Sequence, residues 1–511
     1  MSRFYITTAI DYVNSRPHLG TAYEKICADA IARYRRLRGD EVFFLMGNDE
    51  HSLKVEMAAR EKGIGALEHC DQMEEIFREV WAALDVEFDD FIRTTQERHK
   101  RAVAALLERI RAAGDVRQDL YEGWYCDGCE AFKNEGDLVD RACPDHPALE
   151  LRWLEERNWF FDLSKYGDFL LDHYAKHPEA LEPEVRRNEI LELCRSGLKD
   201  ISISRESASW GIPVPFDESA VVYVWFDALI NYLAGTGWPD DQAGYEKWWP
   251  ADLHLVGKDI TRFHCVIWPA MLKSAGLPLP RQVFGHGFVN LGRAKLSKSA
   301  GSKVDPLDLA SRFSADALRY YLMVESSFGR DIEYTEERLA TRANTELANG
   351  LGNLLSRTIS MIIKYRDGVV PAPTEPALVA DVAEAALARY REAFDRLELK
   401  GAIEAAMSVV ERANLLVDEE APWALAKDPA LAGRLDRVLH DLAESCRVAA
   451  VLLSPIMPRK MTALRAALGC ELPLAELRLE HAAWGGLVPG TRLEKIAPLF
   501  PRIELPEGET A

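Results

Sequence analysis

The run Lys295-Leu296-Ser297-Lys298-Ser299 puts two ammonium groups and two hydroxyls on one short polar segment, just past the strand-like stretch 282–290. Such a set can close over a polyphosphate, the ammonium groups neutralising developing charge while the hydroxyls bond the same oxygens. Taken alone, the run is equally a solvated surface loop. A second set lies near the start of the chain. Pro17-His18-Leu19-Gly20 follows the apolar run 4–10 and opens a helical pattern that extends to about residue 38. A loop between a buried strand and a helix N-terminus binds anions, because backbone N–H groups and the helix dipole point at it. There His18 adds a donor, and Gly20 lets a flat base approach the backbone. The alternative is a capping loop with a structural histidine.

A third set is cysteine-based. Cys126-Asp127-Gly128-Cys129 and Cys143-Pro144-Asp145-His146 are a C-x₂-C and a C-x₂-H pair with 13 residues between them. Cys126, Cys129, Cys143 and His146 suit one tetrahedral Zn²⁺ of the Cys₃His type, structural because no position is left open. Two reduced pairs on a loop are the plainer reading. The nine cysteines are otherwise scattered and odd in number, which excludes a disulfide framework.

These sets need a scaffold. Apolar, partly β-branched runs at 4–10, 41–46, 221–225, 253–256 and 282–284 read as strands alternating with helical stretches. That pattern predicts a doubly wound parallel sheet of Rossmann type. The region 115–209, with the cysteines and Trp159-Phe160-Phe161, reads as an insertion between two halves of the sheet. Beyond about residue 308 strands nearly vanish, and alanine- and leucine-rich segments from 343 to 467 repeat at helical spacing, predicting an α-helical bundle. The expected parts are a first catalytic half, 1–114; a zinc-bearing insertion, 115–209; a second catalytic half, 210–290; a lysine-loop segment, 291–342; and a helical domain with its tail, 343–511.

The chain has 511 residues, too many for one ordinary domain, and is 48% hydrophobic and 28% charged, as soluble globular proteins are. No apolar run reaches the roughly 18 residues that span a bilayer. The N-terminus runs directly into a strand pattern, so a cytoplasmic protein with no membrane partner is expected. A net charge of −20 argues against general polyanion binding but leaves local recognition of single-stranded RNA open.

The motifs together resemble the methionyl-tRNA synthetases among the class I aminoacyl-tRNA synthetases. The resemblance rests on Thr7-Thr8-Ala9-Ile10-Asp11-Tyr12-Val13-Asn14 with Pro17-His18-Leu19-Gly20, then Gly47-Asn48-Asp49-Glu50-His51, Val224-Trp225-Phe226-Asp227-Ala228, Gly257-Lys258-Asp259-Ile260 with Phe263-His264, and Phe284-Gly285-His286-Gly287-Phe288 ahead of the lysine run. These lie in the family's order along nearly the whole chain. The resemblance implies ATP-dependent activation of methionine and its transfer to tRNA(Met), with Mg²⁺ arriving on ATP. It assigns His18, Gly20, Lys295, Ser297 and Lys298 to ATP. It assigns Ile10, Tyr12, Trp225, Tyr232 and His286 to the methionine side chain, Asp49 to its ammonium group, and Asp259 to polar support. Asn353, Arg357 and Trp423 become anticodon contacts. Where the family has a second histidine this chain has Thr21, a hydroxyl that donates one hydrogen bond and carries no charge. Two alternatives stand beside this reading: a non-catalytic tRNA-binding relative, or a class I synthetase for another small apolar amino acid. No appended dimerising domain is visible, so a monomer is expected.

Overall fold

The computed structural model describes residues 2–126, 131–133, 138–139, 141–144, 146–206, 210–292, 304–373 and 376–505. The strand Arg3–Thr8 is buried from Phe4 to Thr8 without alternation, as a parallel strand covered on both faces must be. It sits mid-sheet, flanked by Glu41–Asp49 on one side and Leu253–Gly257 on the other. Asp90–Arg93 and the two-residue strand Asp11–Tyr12 both pair with Glu41–Asp49. On the far side, Leu253–Gly257 pairs with Val283–His286, and that strand with Leu181–Glu182. Every pairing in this seven-stranded sheet is parallel.

The chain leaves the central strand toward one edge and later returns on its other side. That reversal opens a crevice beyond the carboxyl end of Arg3–Thr8, where doubly wound sheets bind ligands. Residues 9–18 fill its rim, and the helix Leu19–Leu37 starts there.

Within 115–209, Val116–Cys126 and Arg152–Phe161 form a long antiparallel hairpin. The same segment contributes Leu181–Glu182 to the main sheet, so the sheet reaches into the region read as insertion. One expected strand is not there. The run 221–225 predicts a single strand, but Asp217–Val222 is the middle strand of a small antiparallel sheet and Val224–Ala228 is helical. A short apolar run fits a buried helix as well as a strand, and periodicity does not separate them.

Beyond the strand pair Val289–Leu291 and Ile332–Tyr334 the described chain is helical. Leu399–Glu420 packs against Ala380–Asp395 and Ala432–Leu452 to build the bundle. Arg319, fully buried, bolts it to the sheet domain. Its guanidinium donates to Asp29 of the first helix at 2.6 Å and to the Pro455 and Ile456 carbonyls at 2.9 and 2.8 Å. Among the described residues no helix is long and apolar enough to cross a membrane.

Candidate active site

The helix Leu19–Leu37 begins with a side chain that does two things. His18 is its N-cap, with extended backbone, and its Nδ1 accepts the N–H groups of Gly20 at 3.1 Å and Thr21 at 3.3 Å. A nitrogen that accepts carries no proton, so the neutral ring bears its proton on Nε2. The cap thus sets the tautomer and makes Nε2–H the ring's donor. Gly20 makes this possible. A Cβ there would meet His18 Cε1 at 3.1 Å and Nδ1 at 3.2 Å. The glycine is needed by the folded-back imidazole, a different reason from the approach of a base.

The crevice holds a cavity of about 550 Å³. Ile10, Tyr12, His18, Gly20, Thr21, Asp49, Trp225, Tyr232, Asp259 and His286 all line it. Ladder register explains part of the convergence: Tyr12 pairs directly with Asp49. Trp225 meets the Tyr12 ring edge-on at 6.0 Å and stacks on Phe263 at 4.0 Å. Asp49 is 3% exposed, whereas Asp259 stands open at the mouth.

Below the cavity lies a charged chain that sequence reading missed in part. Lys25, fully buried, donates to the Ala9 carbonyl at 2.9 Å, to Asp11 at 3.1 Å and to Glu24 at 2.7 Å. The other Glu24 oxygen lies 2.9 Å from His286 Nε2, while His286 Nδ1 donates to the Gly287 carbonyl at 2.8 Å. Burial alone would raise the Glu24 carboxyl. Lys25 and the His286 hydrogen bond outweigh it and hold the group down to about 2. At Asp11 burial wins over the same lysine and lifts the carboxyl to about 6. Tyr232 forms the back wall with His264. Its hydroxyl donates to His264 Nε2 at 2.7 Å, since His264 Nδ1 is committed to the Ile260 carbonyl at 3.0 Å. Burial pushes the His264 imidazole down to about 4. Glu24 had no sequence signal; His264 was within a quoted motif but carried no assigned role.

Lys295, Ser297, Lys298 and Cys129 lie outside the described residues. The described flanks of the lysine run border the crevice. Phe288, Val289 and Asn290 line the cavity, and the Val304 carbonyl accepts the Leu19 N–H at 3.2 Å. At the tip of the insertion hairpin the ligand atoms of Cys126, Cys143 and His146 lie within 4.8 Å of one another. Cys126 Sγ and His146 Nδ1 are 3.9 Å apart. Sulfur and nitrogen ligands of one tetrahedral zinc stand about 3.5 Å apart, so the three fit such an ion. The anticodon candidates lie far along the chain, on the bundle. Asn353 is exposed at the start of the helix Asn353–Arg366. Arg357, one turn on, faces Asp418 at 3.6 Å. Trp423 is 46% exposed just past Ala421, whose φ of 41° ends the helix Leu399–Glu420.

A family model described as tRNA synthetases class I (M) matches residues 4–150 and 148–359, and one described as the anticodon binding domain of methionyl tRNA ligase matches 366–509. The methionine–tRNA ligase of Caldanaerobacter subterraneus subsp. tengcongensis is 45% identical over 98% of this chain and 79% of its own length. That of Thermosynechococcus vestitus is 41% identical, with 98% of each chain covered. Among solved structures, Mycobacterium tuberculosis methionyl-tRNA synthetase in complex with methionyl-adenylate matches with a TM-score of 0.93 at 43% identity, over 98% of this chain and 100% of that one. A fold with its crevice at the strand reversal, a histidine-capped helix beneath it and matches over both halves lead to one family: the chain belongs to the methionyl class I tRNA synthetases.

Proposed function

We propose that the crevice joins methionine to AMP, and that the chain then transfers methionine to tRNA(Met). A methionine carboxylate oxygen attacks the α-phosphorus of ATP, and the bond to pyrophosphate breaks. No enzyme nucleophile is required; rate comes from positioning and charge stabilisation. His18 Nε2–H donates to a phosphate oxygen, with Thr21 beside it. Lys295, Ser297 and Lys298 take the pyrophosphate side. Mg²⁺ comes with ATP, held by the phosphates, and supplies charge neutralisation. Asp49 pairs with the substrate ammonium. Ile10, Tyr12, Trp225, Tyr232 and His286 wall the thioether, and Asp259 gives polar support at the mouth. In the second step a terminal ribose hydroxyl of tRNA attacks the acyl carbon and AMP leaves. Asn353, Arg357 and Trp423 read the anticodon by hydrogen bonding and stacking. Cys126, Cys129, Cys143 and His146 hold one structural Zn²⁺.

The observation that carries this reading is convergence. Ten residues drawn from five separate parts of the sequence line one cavity, behind a histidine whose tautomer is fixed as a donor. The methionyl-adenylate held by the Mycobacterium tuberculosis relative supports the same ligand here. Methionine-dependent ATP–pyrophosphate exchange across a panel of amino acids is the test. Preference for another amino acid refutes the substrate; tRNA binding without any exchange refutes the activity.

A further inference from the structure

The buried cluster His51–Asp227–His99 has no part in the mechanism above, yet two of its members each follow a cavity residue by two positions, His51 after Asp49 and Asp227 after Trp225. Asp227 is fully buried. One carboxylate oxygen accepts from His51 Nδ1 at 2.8 Å, the other from His99 Nε2 at 2.5 Å. Burial would raise this carboxyl, but His99 and His51 outweigh it and hold it at about 2, so it stays an acceptor for both rings.

The three residues come from separate elements. His51 is two residues past Asp49, at the end of Glu41–Asp49, and its ring lies edge-on to Trp210 at 5.5 Å. Trp210 in turn donates to the Glu50 carbonyl at 2.5 Å. Asp227 is two residues past Trp225, in the helix Val224–Ala228. His99 is on the helix Glu97–Ala112, behind both. The polypeptide between His51 and Asp227 spans 176 positions, and the insertion lies inside it. Nothing local therefore sets the distance from Asp49 to Trp225.

We infer that Asp227 is a positioning residue for the amino-acid substrate: by gripping His51 it fixes the span between the carboxylate that meets the ammonium group and the indole that walls the side chain. This rests on the methionine pocket proposed above. The ATP side of the cavity hangs on the helix Leu19–Leu37, and among the described residues no hydrogen bond joins that helix to this cluster. The inference therefore separates the two substrates. An isosteric Asp227→Asn offers one acceptor where two ring N–H groups require two, so at least one tie is lost. His51→Gln removes the tie from the Asp49 side and leaves Asp227 with His99.

The test is ATP–pyrophosphate exchange with each substrate varied, beside thermal melting. Asp227→Asn and His51→Gln should each raise the methionine KM about 10-fold, with the ATP KM unchanged and kcat little altered. Arg319→Lys, which weakens a buried ion pair elsewhere in the core, is the stability control; it should lower the melting temperature without a methionine-specific change. If both folded variants keep the wild-type methionine KM, or shift both KM values together as a general loosening does, the inference is overturned. Should Asp227→Asn not fold, His51→Gln decides alone. A wild-type protein whose exchange ignores methionine would sink the pocket reading itself, and the inference with it.

Discussion

Gly20→Ala separates the catalytic role of the first helical turn from its structural one. The helix gains from alanine, by up to about 1 kcal/mol in an interior position. Against this, the new Cβ would lie 3.1 Å from His18 Cε1 and 3.2 Å from Nδ1. Carbon contacts sit at about 3.5–4.0 Å, so the ring must swing by roughly half an ångström. The cap bonds, already 3.1 and 3.3 Å, then stretch out of range. Losing a cap costs about 1 kcal/mol, which nearly cancels the helix gain. Stability should therefore stay within about 1 kcal/mol of wild type. Activity should not. The swing re-aims Nε2–H, and a donor of this kind is worth about 10²–10³ in rate, so partial misalignment should lower the exchange kcat about 10- to 100-fold. Gly433→Ala, in the bundle helix Ala432–Leu452 with open space around its Cβ, is the control that should gain stability and keep its rate. Exchange kinetics and a melting curve on each variant suffice. A folded Gly20→Ala enzyme with kcat within about threefold of wild type refutes the tautomer argument.

Four further outcomes are expected. His264→Gln should flatten the acid side of the stability curve. In the folded protein the imidazole protonates near 4 rather than 6.5, so the stability present above about 6.5 falls with pH as the unfolded chain takes the proton first. Between pH 7 and 5 the wild type should lose about 2 kcal/mol more than the variant in urea titrations; equal losses contradict the burial argument. Cys143→Ser, or chelation, should remove one zinc per chain by atomic absorption and open the hairpin of Val116–Cys126 and Arg152–Phe161 to protease, with methionine exchange retained. Trp423→Ala should raise the KM for tRNA(Met) about 10-fold or more, since base stacking is worth about 1–3 kcal/mol, while exchange without tRNA is unchanged. Thr21→His should speed adenylate formation if a second imidazole donor at that position acts on the phosphates; an unchanged single-turnover rate makes position 21 a bystander.

What could be read from the sequence was what local chemistry encodes. The buried parallel strands are near-continuous apolar runs, and four of the five predicted strands occur as read, apart from small shifts at their ends. The first helix was visible as the pattern opened by Pro17-His18-Leu19-Gly20 and running to about residue 38. The fifth run failed because an apolar stretch of that length satisfies a strand and a buried helix equally. Leu181–Glu182 escaped notice because two residues carry no period at all. At Gly20 the fold adds a second demand for glycine, since a sequence does not show an imidazole folding back over its own helix.

The groups that stayed hidden, Glu24 and Asp227, share one physical character: each is a buried charge satisfied in part by partners far away in the chain. Glu24 meets His286 across 262 positions, and Asp227 meets His51 across 176. A carboxylate in the core is very unfavourable until those partners arrive, so its placement is a consequence of the completed fold and not a cause of any local element. That is also why such groups suit a two-substrate site. Surface loops could present His18, Asp49 and Trp225, but ties between distant segments are what hold such side chains in register. The charged chain Asp11–Lys25–Glu24–His286 runs from the first strand's exit to the end of Val283–His286, and His51–Asp227–His99 ties the exit of Glu41–Asp49 to the helices Val224–Ala228 and Glu97–Ala112. Each of these braces rests on ion-paired or hydrogen-bonded carboxylates, and each fails by loss of a partner rather than by loss of apolar area. Substitutions in the two braces should therefore add when combined, because no side chain is common to both, whereas two substitutions within one brace should cost little more than either alone.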